Sequence, residues 1–196
     1  FYFYKMKKLI FATNNPNKLK EIRNSVSTHE IISLDEMEIN EEIPETGTTL
    51  HDNALQKAVY IYNKTGKDCF ADDTGLEIAA LDNRPGVYSA RYAGDNCSPD
   101  DNMSRVLNEL KDTRDRNALF RTVIALIING EKYFFEGSID GTILEKKTGS
   151  DGFGYDPIFQ PNGFDLSFAE MSLGQKNSIS HRANAVKKLI HFLNEI

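Results

Sequence analysis

The sequence predicts a mixed α/β fold, on three observations. A short apolar run, Leu9 to Ala12, passes at once into a polar turn and then a helical repeat. Two β-rich runs flank Asn129-Gly130, the strongest hairpin signal in the chain. Apolar residues near the C-terminus recur at helical spacing.

Each element follows in order. Leu9 to Ala12 reads as a buried strand. Thr13-Asn14-Asn15-Pro16-Asn17-Lys18 carries helix-starting residues, and Leu19, Ile22 and Val26 repeat behind it. A strand, a polar turn and a helix is how α/β folds offer a helix N-terminus to a ligand. Glu36 to Thr48 is acidic and irregular. Thr49-x-x-Asp52 resembles a capping box, Leu50, Ala54, Ala58 and Tyr62 supply one helical face, and Gly66 ends that helix. Cys69 to Ala71 reads as a short strand that runs into Asp72-Asp73-Thr74-Gly75. Ser98-Pro99-x-Asp101 starts a helix whose core face is Met103, Val106, Leu107 and Leu110. Arg121 to Ile128 and Lys132 to Phe135 form the hairpin. Ser150 to Gly163, rich in Gly, Pro and aromatics, reads as loop. Val186, Leu189, Ile190 and Leu193 mark a last helix just after Ser180-His181-Arg182.

Composition narrows the class. The 196 residues are 40% apolar and 27% charged, which excludes a disordered chain or a coiled-coil rod. The net charge of −6 argues against a general nucleic-acid partner, while leaving room for a small anionic ligand gathered by a few basic residues. Val123 to Ile128 is far shorter than the ~20 residues of a membrane span. Cys69 and Cys97 lack metal-site spacing and read as free thiols of a reducing cytoplasm. No linker or repeat marks a boundary, so residues 6–196 read as a single domain. Phe1 to Lys5 reads as an upstream extension or a remnant of expression.

Three clusters could carry chemistry. Asp72-Asp73 is either a cap on a tight turn or a divalent-metal or general-base site at a strand end, because neighbouring carboxylates repel and call for a cation or buried donors. Glu45 is a candidate third oxygen ligand. Lys18 and Lys57 read individually as solvated lysines, but Thr13, Asn14 and Asn15 at a helix start, with Lys18 on the same turn, suit a phosphate. Phe153-Gly154-Tyr155-Asp156-Pro157 is either an aromatic loop on the core or a platform for a nucleobase. Ser180-His181-Arg182 alone is a helix cap. His29, His51 and His191 read as surface or packing residues.

Taken together and in this order, the motifs resemble one family. They are Phe11-Ala12-Thr13-Asn14-Asn15-Pro16-Asn17-Lys18, Glu45-Thr46-Gly47, Asp52 to Ala58, Ala71 to Leu76, Pro85 to Tyr92, Gly152 to Phe159, and Ser178-Ile179-Ser180-His181-Arg182. The chain is similar to the inosine triphosphate pyrophosphatases of the HAM1/RdgB type, over essentially its whole length. The resemblance implies an elongated mixed sheet flanked by helices, two lobes with a central cleft, and a homodimer. It implies hydrolysis of ITP, dITP or XTP to the monophosphate and pyrophosphate, with Mg²⁺ or alternatively Mn²⁺. It assigns the triphosphate to Thr13, Asn14, Asn15, Pro16, Asn17 and Lys18, assisted by Lys57. It gives the metal to Glu45 and Asp73, with Asp73 also as base, Asp72 in support and Thr74 near the substrate. It places the base against Phe153, Gly154, Tyr155, Asp156, Lys176, His181 and Arg182. Asn14 stands where such proteins often have Gly, which predicts strain in that turn. Two other readings stay open: a Maf-like pyrophosphatase of different base specificity, and a nucleotide sensor without turnover.

Overall fold

The computed structural model describes residues 6–196, and the Phe1 to Lys5 segment lies outside the described residues. The architecture is mixed α/β. The first half runs β1 (Lys8–Phe11), α1 (Pro16–Ser25), β2 (Glu30–Ile32), α2 (Leu50–Thr65), β3 (Cys69–Ile78), β4 (Arg84–Gly86) and α3 (Pro99–Glu109). The second half runs β5 (Asn117–Ile128), β6 (Glu131–Ile143), β7 (Phe159–Pro161), α4 (Leu173–Ile179) and α5 (His181–Glu195). The strands join in one mixed sheet, ordered β2-β1-β3-β5-β6-β7, with β4 pairing off β3. β1 is parallel to β2 and β3, whereas β4 on β3 and β7 on β6 are antiparallel.

The chain divides into two compact units. The first extends to Asp73 and takes in Val123–Glu136 and Ala185–Ile196; the second is Thr74–Thr122 with Gly137–Asn184. The boundaries fall inside β3, β5, β6 and α5. The first unit's core gathers Leu9, Phe11, Ile22, Phe70, Ile124, Leu126, Val186 and Leu189. The Phe11 and Phe70 rings stack at 4.5 Å, as the pairing of those residues between β1 and β3 dictates. The second unit's core gathers Leu76, Ile78, Val106, Leu110, Phe120, Ile158, Phe159 and Phe168.

Caps and turns follow the sequence closely. Asn15 caps α1, with Pro16 at its first position. Ser98 and Asp101 close a full capping box on α3. On α2 only half of the box forms: Thr49 accepts from the Asp52 amide, but the Asp52 carboxylate accepts from the Thr49 hydroxyl. Asn129 and Gly130 both have positive φ, as the tight hairpin requires.

Several expectations are corrected. β3 does not end at Ala71 but runs ten residues through Asp72-Asp73-Thr74-Gly75, so both carboxylates sit within a strand rather than on a turn. Gly75 is needed for close packing, since a Cβ there would lie 2.7 Å from the Gly86 carbonyl oxygen on β4. The stretch from Ser150 to Gly163 contains β7, and α4 precedes the last helix, which starts at His181 itself. On α2 it is Ile61, not Tyr62, that completes the buried face. Asn14 is absent from the positive-φ residues, so the anticipated strain does not occur.

Cys69 and Cys97 are free thiols, and burial pushes the Cys69 thiol up to about 12. No helix among the described residues is long and apolar enough to cross a membrane.

Candidate active site

The first unit assembles a cluster of alternating carboxylates and lysines. α2 carries Lys57 one helical turn after Asn53, and both are buried on its otherwise apolar face. Lys57 Nζ donates to Glu45 Oε1 and lies 3.7 Å from Asp73 Oδ1. Asn53 donates to Asp73 Oδ2 at 3.2 Å and accepts from the Gly47 amide at 2.7 Å. Gln56 makes two bonds to Thr46. α2 thus holds the Glu45-Thr46-Gly47 segment and the Asp73 carboxylate from one face. A Cβ at Gly47 would meet the Asp52 Cβ at 2.5 Å, so only glycine permits that approach.

From β3, Asp72 receives Lys18 Nζ at 3.0 Å, with the Asp72 side chain fully enclosed. Lys18 and Lys57 are therefore not solvated lysines. Burial opposes the charge on Lys57, but Asp73, Glu45 and Asp72 prevail and hold its pKa above the usual lysine value. Burial, with Glu45 nearby, raises the Asp73 carboxyl above the usual range, against the pull of Lys57 and Lys18.

Glu45 and Asp73 facing one ammonium is a donor arrangement that fits a hard divalent cation. Among the described residues no group of three or more His, Cys, Asp or Glu converges, so these two carboxylates would need substrate oxygens and water to complete a coordination sphere.

The turn before α1 is more self-contained than expected. The Asn17 and Lys18 amides donate to the Asn15 side chain, and the Asn15 amide to Thr13 Oγ1. Asn14 Nδ2 donates to the Glu41 carbonyl. Side chains of this turn, rather than those three amides, are left to meet a phosphate.

The second unit gathers the aromatic and cationic residues. Asp156 accepts from the Phe153 amide at 2.8 Å and from Lys176 Nζ at 2.6 Å, both side chains being 4% exposed. Gly152 has a φ of +77°, and a Cβ there would lie 2.2 Å from Asp156 Oδ2, so the tight turn into Phe153 depends on glycine. Lys176 Nζ lies 4.5 Å and Arg182 Cζ 5.6 Å from the Phe153 ring centre. Arg182 donates to Thr74 Oγ1 at 3.2 Å. His181 is buried against Phe120. Tyr155 is buried and donates its hydroxyl to the Ser89 carbonyl at 2.7 Å, anchoring the loop.

The structure thus brings Lys18, Glu45, Lys57, Asp72 and Asp73 together in one unit, and Thr74, Phe153, Asp156, Lys176 and Arg182 in the other. The reading of the sequence gave no role to Asn53 or Gln56, which it held only within the Asp52 to Ala58 motif. The available signal for Asn53 was a polar residue one turn from Lys57 on an apolar helix face.

A profile of the Ham1 family matches residues 9–192. The dITP/XTP pyrophosphatase of Porphyromonas gingivalis is 56% identical over 190 residues, covering 96% of this chain and 98% of that protein. The dITP/XTP pyrophosphatase of Bacillus subtilis is 45% identical over 193 residues, with 96% and 98% covered. Among solved structures, a HAM1 protein from Coxiella burnetii superposes with a TM-score of 0.89 at 38% identity, covering 97% of this chain and 100% of that one.

Because the Lys57 pKa is raised, its stabilising contribution is complete below 10.5 and fades only as pH climbs through the raised value. Neutral pH therefore samples it in full. Lys57→Met should destabilise the protein by about 3 kcal/mol at pH 7, because it leaves buried carboxylates without their cation. The difference should shrink toward pH 4 as Asp73 takes up a proton. Urea unfolding at the two pH values checks this; a loss under about 1 kcal/mol at pH 7 contradicts it.

Proposed function

The chain belongs to the Ham1 family, and on that premise we propose that it hydrolyses the non-canonical purine nucleoside triphosphates dITP, ITP and XTP to the monophosphate and pyrophosphate. The observation that carries the reading is the alternation of Glu45, Lys57, Asp73, Asp72 and Lys18 within one unit.

The roles follow from the donors. Attack of water on the α-phosphorus expels pyrophosphate, so negative charge grows on the bridging oxygen. Lys18 and Lys57 supply positive charge for it, which is the main demand of phosphoryl transfer. Glu45 and Asp73 would hold Mg²⁺, which when bound neutralises phosphate charge. Asp73 orients the water and accepts its proton. Its raised pKa suits a base, and Asn53 fixes its direction. Asp72 holds Lys18, and Thr13, Asn14, Asn15 and Asn17 offer polar side chains to the phosphates, with Pro16 fixing the start of the helix between them.

For the base, Phe153 is the stacking surface. Lys176 and Arg182 beside it can only donate hydrogen bonds. They match the 6-oxo acceptor of hypoxanthine or xanthine and mismatch the 6-amino donor of adenine. A buried donor facing a donor is left unmade, at roughly 1–3 kcal/mol per group. Asp156 holds Lys176 in place, and His181 and Thr74 flank Arg182.

The setting we propose is the cytoplasm, in keeping with two free thiols. The assembly we propose is a homodimer. Tyr88 is 51% exposed and available to an interface, whereas Tyr92 is buried with its hydroxyl on Glu109. Sedimentation should show about twice the 22.1 kDa chain mass; a monomer alone at micromolar concentration refutes the dimer.

A panel of triphosphates, assayed for pyrophosphate release with Mg²⁺, tests the activity. dITP and XTP should be hydrolysed well ahead of dATP, and Asp73→Asn should lower turnover at least ~10²-fold with the fold intact. Equal rates across the panel, or an Asp73→Asn enzyme near wild-type turnover, would sink the assignment.

A further inference from the structure

β5 offers a feature that the proposed mechanism does not use. Successive side chains of a strand alternate in direction, so Phe120 and Thr122 share one face of β5. Both are buried, Thr122 completely. The Phe120 ring stacks on His181 at 4.5 Å with planes 17° apart. Phe159 packs edge-on against Phe120 at 4.6 Å, and Phe168 lies 6.2 Å away, so the ring is wedged. Two residues on, Thr122 Oγ1 lies 2.7 Å from Thr74 Oγ1, the atom to which Arg182 donates. Adjacent residues of one turn, His181 and Arg182, are thus each braced from the same strand face.

We propose that Phe120 and Thr122 are positioning residues for base selection, holding His181 by ring stacking and Arg182 through the Thr74 hydroxyl. This rests on the reading that Arg182 meets the purine edge. A guanidinium only donates, so Thr74 Oγ1 must present a lone pair to it. The Thr74 side chain has a few discrete rotamers, which exchange the places of its hydroxyl and methyl group. The Thr122 hydroxyl, enclosed and without access to water, selects the rotamer that turns Oγ1 toward both partners. Without it, the methyl group can face Arg182, and the guanidinium loses this one directional bond. A guanidinium whose direction is less sharply set penalises a 6-amino group less, so the defect falls on discrimination.

The test compares kcat/KM for dITP and dATP in wild type, Thr122→Val, Thr122→Ser, Arg182→Ala and the Arg182→Ala/Thr122→Val double variant. Valine keeps the shape and removes the hydroxyl; serine keeps the hydroxyl. Thr122→Val should narrow the dITP preference by about 10-fold, Thr122→Ser should restore most of it, and the valine change should add nothing once Arg182 is gone. Phe120→Leu, which leaves the hydroxyl pair in place, should also narrow the preference and covers the event that Thr122→Val fails to fold. If Arg182→Ala collapses the preference while Thr122→Val and Phe120→Leu leave it intact, the positioning role is wrong. An equal loss on dITP and dATP in both β5 variants makes these residues merely structural and also overturns it. If Arg182→Ala itself leaves the preference unchanged, the base-edge reading fails, and the positioning role falls with it.

Discussion

The ammonium of Lys57, enclosed among Glu45, Asp73 and Asp72, is the interaction on which the first unit's site depends. Removing the Asp72 and Asp73 carboxylates from water is tolerable only with positive charge among them, and Glu45, a third exposed, adds another carboxylate to the rim. Lys57 and Lys18 set two positive charges among these carboxylates. In the proposed function the carboxylates serve a cation and the lysines a polyphosphate. The same charges that allow the carboxylates to be buried are those that phosphoryl transfer requires. The apolar face of α2 sets the geometry, since Asn53 and Lys57 reach β3 only because Ala54, Ala58 and Ile61 pack that helix down.

The second unit meets a different constraint. The nucleobase proposed for it needs a flat apolar surface and directional donors side by side, and bare cations next to an aromatic core are costly to desolvate. The structure offsets this by pairing Lys176 with Asp156 and bringing both Lys176 and Arg182 near the Phe153 ring. Asp156 also accepts from the Phe153 amide, so one carboxylate fixes both the ring and the ammonium beside it. Gly152 allows that carboxylate to come close.

Much of this was legible in the residues, for physical reasons. Helix caps at Asn15, Ser98 and Gly66, and the Asn129-Gly130 turn, depend on local chemistry that acts over three or four positions. β3 was not legible past Ala71. Its mostly buried residues show no alternation, and two aspartates followed by Thr-Gly look like a turn until the partners that neutralise them are known. Those partners lie far away in the chain: Lys18 for Asp72, Asn53 and Lys57 for Asp73. β2 and β7, three residues each, are too short to show a period. Glu45 and Asp73 stood out as carboxylates suited to a cation, and the family resemblance then gave them roles, whereas Lys176 could be named only because the resemblance pointed to it. Thr122 and Phe120 could not, because only the fold sets them under Arg182 and His181.

The central claim is that this carboxylate–lysine cluster directs water to the α-phosphorus of a purine triphosphate. Hydrolysis of dITP in ¹⁸O-water, with the products resolved by ³¹P NMR, tests it most directly. The mechanism predicts deoxyinosine monophosphate bearing the label and unlabelled pyrophosphate. Label in pyrophosphate, or release of orthophosphate with a nucleoside diphosphate, would contradict it.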